Sequence, residues 1–515
     1  MSGQPISSEH LPAGQLSSST PSGGSTSQGL STSQGLSTSQ GLSASQGLST
    51  SPALIAEMIA RARAAQKIAA TWSQERVDEV CVAVGWSVYN DENIRRLAEL
   101  AVAETGMGRI EDKITKHKNK VMGVLRDIRG VRTVGLMEED LARGIRKYAK
   151  PVGVVGALAP VTNPTATPAS NGLSILKGAN AVIFAPHPKA KKSTALACTF
   201  MREALKKVGA PEDLVQVIEE PSIELTQELM RQVDLIVATG GSAMVKAAYS
   251  SGKPAYGVGP GNAVQLLCED ADPEDAAEKI AASKSFDNAT SCSSENSAVV
   301  HRAVWDRFIA GLQKQGGYLC TPEQKKALRH YLWITGKNGQ ENLNPAIIAQ
   351  DADKIARGAG FDVIEGTRFL IVQGEQPIES DRFFWEKISP VLTVLPCDSF
   401  EEGLSFVERI TDLCGTGHSS GIFTFREDYI DRMGSYMRSS RIMVRQPMVS
   451  GNGGAFFNGM PSTVTLGCGT WGNNITTENI HWKQFINVTW LAMPIEPNRP
   501  KDEDIFGDYW KRFGK

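Results

Sequence analysis

The chain has 515 residues, 41% apolar and 21% charged, with a formal net charge of -2 at pH 7. That length allows two or three domains and a large core, and the balance lacks the basic excess that nucleic acid or an anionic membrane surface selects. No apolar run approaches the ~20 residues of a membrane span and no signal peptide opens the chain. The eight cysteines and seven histidines are scattered without CxxC or clustered spacing, which predicts reduced thiols in a cytosol and no metal site.

Residues 1–52 read as a tail outside any fold. The hexapeptide Thr26-Ser27-Gln28-Gly29-Leu30-Ser31 recurs from Thr32 and Thr38, with a variant from Ala44. One leucine per six residues cannot offset the entropy of ordering such a chain. An inert linker and a tether to a larger assembly are both open roles. From Ala53 onward Leu54, Met58, Ile59, Ala62 and Ile68 recur on one helical face, and the pattern predicts helices to about Val131. A strand-like segment follows at 144–149. Short apolar runs at 152–158, 181–185, 214–217 and 235–238 then alternate with helical segments, the signature of a parallel sheet with crossover helices. The fold class is α/β, although no GxGxxG fingerprint is present.

Three segments carry chemistry. The strand at 152–158 runs into Pro160-Val161-Thr162-Asn163-Pro164, a polar turn before a helix opening near Ser170-Asn171. An amide such as that of Asn163, held on a proline-stiffened turn, is a good oxyanion donor. Its plainer role is that of a turn residue, common for Asn before Pro. Next, Thr239-Gly240-Gly241-Ser242 ends a strand and opens a helix, as a phosphate or nicotinamide contact requires. Finally, Cys292 lies in Ala289-Thr290-Ser291-Cys292-Ser293-Ser294, where small neighbours leave room for a substrate. Backbone N–H groups and a helix N-terminus nearby would lower its pKa from about 8.5; the alternative is a buried structural cysteine.

With Ala101-Val102-Ala103-Glu104-Thr105-Gly106-Met107-Gly108 and Glu386-Lys387-Ile388-Ser389-Pro390-Val391-Leu392, these segments resemble the aldehyde dehydrogenase superfamily over roughly residues 53 to 495. They most resemble its CoA-acylating branch, found in bacterial alcohol, diol, ethanolamine and sulfonate metabolism. The resemblance implies a Rossmann-type NAD(P)-binding domain at 53–260 and an α/β catalytic domain with Cys292 at 261–443. Residues 444–499 would return to the cofactor domain, and strands near 144–149 and 485–493 would form a β oligomerisation arm building a homodimer or tetramer.

The implied reaction oxidises a short aldehyde to acyl-CoA through a Cys292 thioester, with NAD or NADP as hydride acceptor and coenzyme A as co-substrate. Asn163 and the Cys292 N–H would form the oxyanion hole. Thr162, His187, Pro188, Thr239, Gly240, Gly241 and Glu386 would contact the cofactor, Glu386 at a ribose unless it is a surface residue. The loop Ala185-Pro186-His187-Pro188-Lys189-Ala190-Lys191-Lys192 carries three lysines and no acid, which would tolerate a 2′-phosphate unless the run is only a solvated face. His418, on the turn Cys414-Gly415-Thr416-Gly417-His418, would face the active-site entrance and serve CoA, or be a structural histidine. Arg441 and Arg445 frame Ile442-Met443-Val444 and share a face if that run is a strand. One of them, Arg445 in particular, would suit an anionic aldehyde, the alternative being a salt bridge within the fold.

Hydrolytic members carry a glutamate on the segment that here reads Tyr256-Gly257-Val258-Gly259-Pro260-Gly261-Asn262. Its position falls at or beside Val258, and no acid lies between Lys253 and Leu267. A valine cannot take a proton from water, whereas a thiol nucleophile needs less help. The remaining alternatives are a hydrolytic enzyme whose base comes from elsewhere and a non-catalytic scaffold subunit; presence of both Cys292 and Asn163 speaks against the scaffold. At 500–515, Ile505, Phe506, Tyr509, Trp510 and Phe513 form one apolar stripe if helical. The stripe would dock on its own or a neighbouring subunit, or on a bacterial microcompartment shell. The implied location is cytoplasmic, free or inside such a compartment, and the aldehyde is undetermined among acetaldehyde, propionaldehyde, sulfoacetaldehyde and succinate semialdehyde.

Overall fold

The computed structural model describes residues 51–336 and 339–515, so the hexapeptide repeat and the tail assigned to 1–52 lie outside the described residues except for the last two, which open the first helix. Four helices, Ser51–Ala69, Gln74–Ser87, Asp91–Thr105 and Ile110–Ile128, occupy the stretch where helical spacing predicted them. Ser73 and Asn90 cap the second and third by accepting from Arg76 N–H and Asn93 N–H, and Gly106 ends the third in the left-handed conformation. On the first helix the buried stripe runs through Ile55, Met58, Ile59, Ala62, Ala65 and Ala69. Leu54 and Ile68, assigned to the same face from sequence, are exposed because each lies one position off that stripe.

Five parallel strands follow in the spatial order Val215–Val217, Ala181–Pro186, Val154–Ala159, Leu235–Thr239, Ala255–Val258. Every residue of Val154–Ala159 and Ala181–Pro186 is buried, as helices on both faces require. The chain starts in the middle of this sheet and winds outward both ways. The order therefore reverses between Val154–Ala159 and Leu235–Thr239, and a crevice opens beyond their carboxyl ends. The Asn163 turn and Thr239-Gly240-Gly241 are the segments that leave those two ends.

A second parallel sheet of seven strands has the order Gly317–Leu319, Phe369–Gln373, Val391–Cys397, Glu295–His301, Ala263–Leu267, Ser420–Phe423, Ile442–Val444. Ala263–Leu267 lies between the strand that follows Cys292 and the strand that follows His418, so residues far apart in sequence become neighbours. The two arm-like segments are strands of one small sheet: Ile145–Pro151 lies between Gly135–Asp140 and Ile486–Ala492, antiparallel to both. Most side chains of Ile486–Ala492 are exposed. The segment Asp502–Phe513 is helical, with Ile505, Phe506, Tyr509 and Phe513 exposed. No helix among the described residues is long and apolar enough to cross a membrane.

Candidate active site

Cys292 sits on a turn between the tight segment Phe286–Ala289 and the strand Glu295–His301. Asp287, Asn288 and Ala289 all have positive φ, at 49°, 51° and 59°. Three consecutive non-glycine residues in the left-handed region are held only where the surroundings over-determine them. Here the fully buried Asp287 carboxylate does so: it accepts from Lys113 Nζ (3.2 Å), Lys116 Nζ (2.5 Å), Thr290 Oγ1 (2.6 Å) and Arg109 N–H (2.9 Å). Burial alone would push this acid up, but Lys116 and Lys113 outweigh it and hold it below the ordinary value. Two glycines make the packing possible. A Cβ on Gly108 would lie 1.9 Å from Asp287 Oδ1, and one on Gly261 would lie 2.0 Å from the Cys292 carbonyl oxygen.

No helix begins at the thiol, contrary to the sequence prediction, because the turn leads into a strand. Burial, with the Glu386 carboxylate adding to it, pushes Cys292 up to about 12. His418 is not at an entrance either. Its side chain is wholly buried, with Nε2 3.1 Å from Cys292 Sγ and Nδ1 2.7 Å from Ser419 Oγ. Burial, then the charge of Arg441, pushes the imidazole down to about 3, so it is neutral. Arg441 itself is 3% exposed and donates to the carbonyls of His418 and Gly467 and to Asn479 Oδ1. Arg445 does not share its face: the strand stops at Val444, Arg445 has φ 51°, and its guanidinium donates to Thr424 O over the Phe425 ring. It does not line the cavity described next.

A cavity of about 590 Å³ is lined by Cys292 and Asn163 together with Thr162, His187, Thr239, Gly240, Gly241 and Glu386. Pro188 is exposed and outside it, opening a short turn capped by His187 Nδ1. Asn163 is oriented by a residue that sequence reasoning missed. Lys116 Nζ donates to Asn163 Oδ1 at 3.0 Å, as well as to Asp287 and Thr290 Oγ1; the Asn163 amide donates in turn to Thr162 Oγ1 at 3.4 Å, which leaves one amide hydrogen without a partner among the described residues. The helix beyond Asn163 opens at Ala166, four residues earlier than predicted, with Pro168 tolerated in its first turn. A second missed residue, Lys120, lines the same cavity one helical turn beyond Lys116. Recurrence of Lys113, Lys116 and Lys120 near the buried positions His117, Val121 and Val124 was the only available signal.

Beyond the strand Leu235–Thr239, the helix Ser242–Tyr249 has no side-chain cap at Gly241, and a Cβ there would meet only open space. These uncapped N–H groups beside an open cavity fit a dinucleotide phosphate. Of the three loop lysines, Lys191 is paired with Glu220, while Glu104 accepts from the N–H groups of Lys192 and Ser193, so acids reach this loop from other segments. Val258 is 2% exposed and lines the cavity, where Glu386 is the only carboxylate among the described residues. One Glu386 oxygen accepts from Gly261 N–H at 3.1 Å, and burial pushes the acid up to about 8. Among the described residues, no three His, Cys, Asp or Glu side chains gather as a metal site.

The aldehyde dehydrogenase family model matches residues 41–321. The chain belongs to the aldehyde dehydrogenase family. Among members of this family it is 61% identical over 456 residues to a sulfoacetaldehyde dehydrogenase of Acholeplasma sp, covering 88% of this chain and 94% of that one. It is 54% identical over 461 residues to the sulfoacetaldehyde dehydrogenase (acylating) of Bilophila wadsworthia, covering 90% and 99%. An acetylating aldehyde dehydrogenase from Geobacillus thermoglucosidasius shares the fold with a TM-score of 0.84 at 34% identity, covering 88% of this chain and 98% of that one.

Proposed function

We propose that the chain is a CoA-acylating, NAD(P)-dependent aldehyde dehydrogenase whose aldehyde is sulfoacetaldehyde. The observation that carries the acylating chemistry is one cavity holding Cys292, Asn163 and the Thr239-Gly240-Gly241 turn, with Val258 in its wall. The names of the two similar relatives support the substrate.

With the thiol at about 12 and the imidazole at about 3, proton transfer in the resting site is steeply uphill. It becomes favourable as sulfur bonds to the carbonyl carbon, and His418 Nε2 is placed to take the proton then. A thiol donating to Nε2 requires Nδ1 to carry the ring hydrogen, which Ser419 Oγ accepts. Negative charge gathering on the carbonyl oxygen meets the Asn163 amide, locked in orientation by Lys116, and the Cys292 N–H. When bound, the dinucleotide supplies the hydride acceptor; Thr239, Gly240, Gly241 and Glu386 are the residues that would hold it. Oxidised, the acyl group is a thioester on Cys292. The CoA thiolate attacks that carbonyl, the same donors stabilise the second oxyanion, and Cys292 sulfur leaves as the acyl–CoA bond forms. Among the described residues Glu386 is the one carboxylate lining the cavity, and its bond to Gly261 N–H occupies one of its oxygens.

The test is NADH or NADPH formation with sulfoacetaldehyde, acetaldehyde, propionaldehyde and succinate semialdehyde, each with and without CoA. Strict CoA dependence with preference for sulfoacetaldehyde supports this function; equal turnover without CoA returns it to the hydrolytic class.

Assembly follows the same residues. The strand Ile486–Ala492 and the stripe on Asp502–Phe513 remain exposed on the single chain, which supports a homo-oligomer closed by the arm. The uncovered stripe leaves a neighbouring subunit or a microcompartment shell as its dock. Deleting 500–515 separates them: reduced oligomer mass favours the subunit, while retained mass with loss of shell co-purification favours the shell.

A further inference from the structure

Lys116 and Lys120 line the cavity from one helix, Ile110–Ile128, four residues apart and therefore on one face, about 6 Å apart along the axis. Their amines are held in different ways. Lys116 has three acceptors, one of them the Asp287 carboxylate. Lys120 donates only to two backbone carbonyls, Gly453 O at 2.6 Å and Gly454 O at 3.3 Å, and forms no ion pair among the described residues. An ammonium has three hydrogens, so one remains for a ligand. The nearby Asp127 is already engaged by Arg126 and by Ser462 N–H.

The seat for this amine is specific. A Cβ on Gly453 would lie 2.6 Å from Lys120 Nζ, so only glycine there lets the lysine head reach the loop. The surrounding wall includes the hydroxyls of Ser450, Ser462 and Thr463. The only other groups of the wall able to carry positive charge are Lys116, already bound to Asp287, and His187 beside the cofactor loop. Burial, then the charge of Lys116, pushes Lys120 down to about 7. A cation left in a cavity with dipoles and no ion pair is destabilised until an anion completes it.

We propose that Lys120 is the specificity-determining residue that binds the anionic head group of the aldehyde. Lys116 fixes the amide at the carbonyl end; Lys120, one turn on, fixes the sulfonate. This spacing selects a short carbon chain between the carbonyl and the anionic head group. The inference rests on the function proposed above for the Cys292 cavity.

Two measurements test it. The first is the ratio of kcat/KM for sulfoacetaldehyde to that for propionaldehyde in the wild type, Lys120→Met and Lys120→Arg. The ratio should fall on the order of 10²-fold in Lys120→Met, mainly through KM, and recover in part in Lys120→Arg, as for loss and return of a charge-assisted hydrogen bond. An unchanged ratio overturns the proposal, as does an equal loss for both aldehydes. The second needs no turnover: protection of Cys292 from iodoacetamide by sulfoacetate, with succinate as the carboxylate arm. Protection present in the wild type and lost in Lys120→Met supports the role of Lys120 even if neither aldehyde is oxidised, in which case only the proposed function falls. Protection that persists in Lys120→Met, or is absent from the wild type, overturns it. Stronger protection by succinate would assign the head group to a carboxylate.

Discussion

The two sides of Cys292 are built from opposite materials. On one side stands a buried network of charge, in which Lys113 and Lys116 share the Asp287 carboxylate and Lys116 also grips Asn163. On the other, in the wall of the same cavity, stands Val258, a hydrocarbon side chain closing the end of the strand Ala255–Val258. The charged side is expensive to bury and is stable only because each ion has partners. It fixes the orientation of the Asn163 amide, the proposed oxyanion donor, through a hydrogen bond. The apolar side needs no partners, and its contribution is to offer no base to water.

Removing the thiol where the two sides meet should have the largest effect. Cys292→Ala is expected to abolish acyl-CoA formation while the chain stays folded, as read by activity and circular dichroism; activity above a trace would move the nucleophile to another cysteine. Asn163→Ala should lower turnover by roughly 10²–10³-fold, the loss of one oxyanion donor; near-normal kcat would make Asn163 a turn residue. Asp287→Asn strips two buried ammonium groups of their counter-charge. It should destabilise the fold by roughly 3–5 kcal/mol, read from urea unfolding at pH 7. Because Asp287 sits below its ordinary value, its contribution is full above about pH 4 and is lost as pH falls through the folded value. The gap between wild type and variant should therefore narrow in acid, and a gap that is constant with pH would deny the ion network its role. The smallest effect is expected on the apolar side. Val258→Glu should shift part of the product from acyl-CoA to free acid, and an unchanged product ratio in a folded variant would mean that the missing base does not select CoA.

Much of this could be seen in the chain beforehand, for a physical reason. Buried parallel strands leave continuous apolar runs, so 152–158 and 181–185 stand out, and the turns that follow them carry Asn163 and His187. The arm strands and the helical stripe near the C-terminus were legible for the same reason, as local periodicity. What was not legible depends on partners distant in sequence. His418 reaches Cys292 across 126 positions because Ala263–Leu267 lies between their strands. Lys116 and Lys120 belong to a helix rich in charge, where a lysine ordinarily faces water. Arg445 leaves its expected face through one positive φ, which no side-chain pattern announces. The direction of the Cys292 shift was misjudged because capping residues beside a thiol are visible in sequence, whereas the burial that outweighs them is a property of the folded cavity.

Val258 has a consequence beyond selectivity. A free carboxylate is a resting place: its formation from a thioester dissipates most of the energy released by oxidising the aldehyde, and the reverse reaction is closed. A CoA thioester keeps that energy in a bond that can still transfer its acyl group. With hydrocarbon where a base would stand, oxidation and acyl transfer both remain close to balance, and the prevailing ratios of dinucleotide and CoA set the direction. Run backwards through the same Cys292 thioester, the cavity would reduce an acyl-CoA to its aldehyde. If the Val258→Glu variant releases free acid, one isopropyl group in the wall separates an irreversible sink from a two-way exchange between an aldehyde and an activated acid.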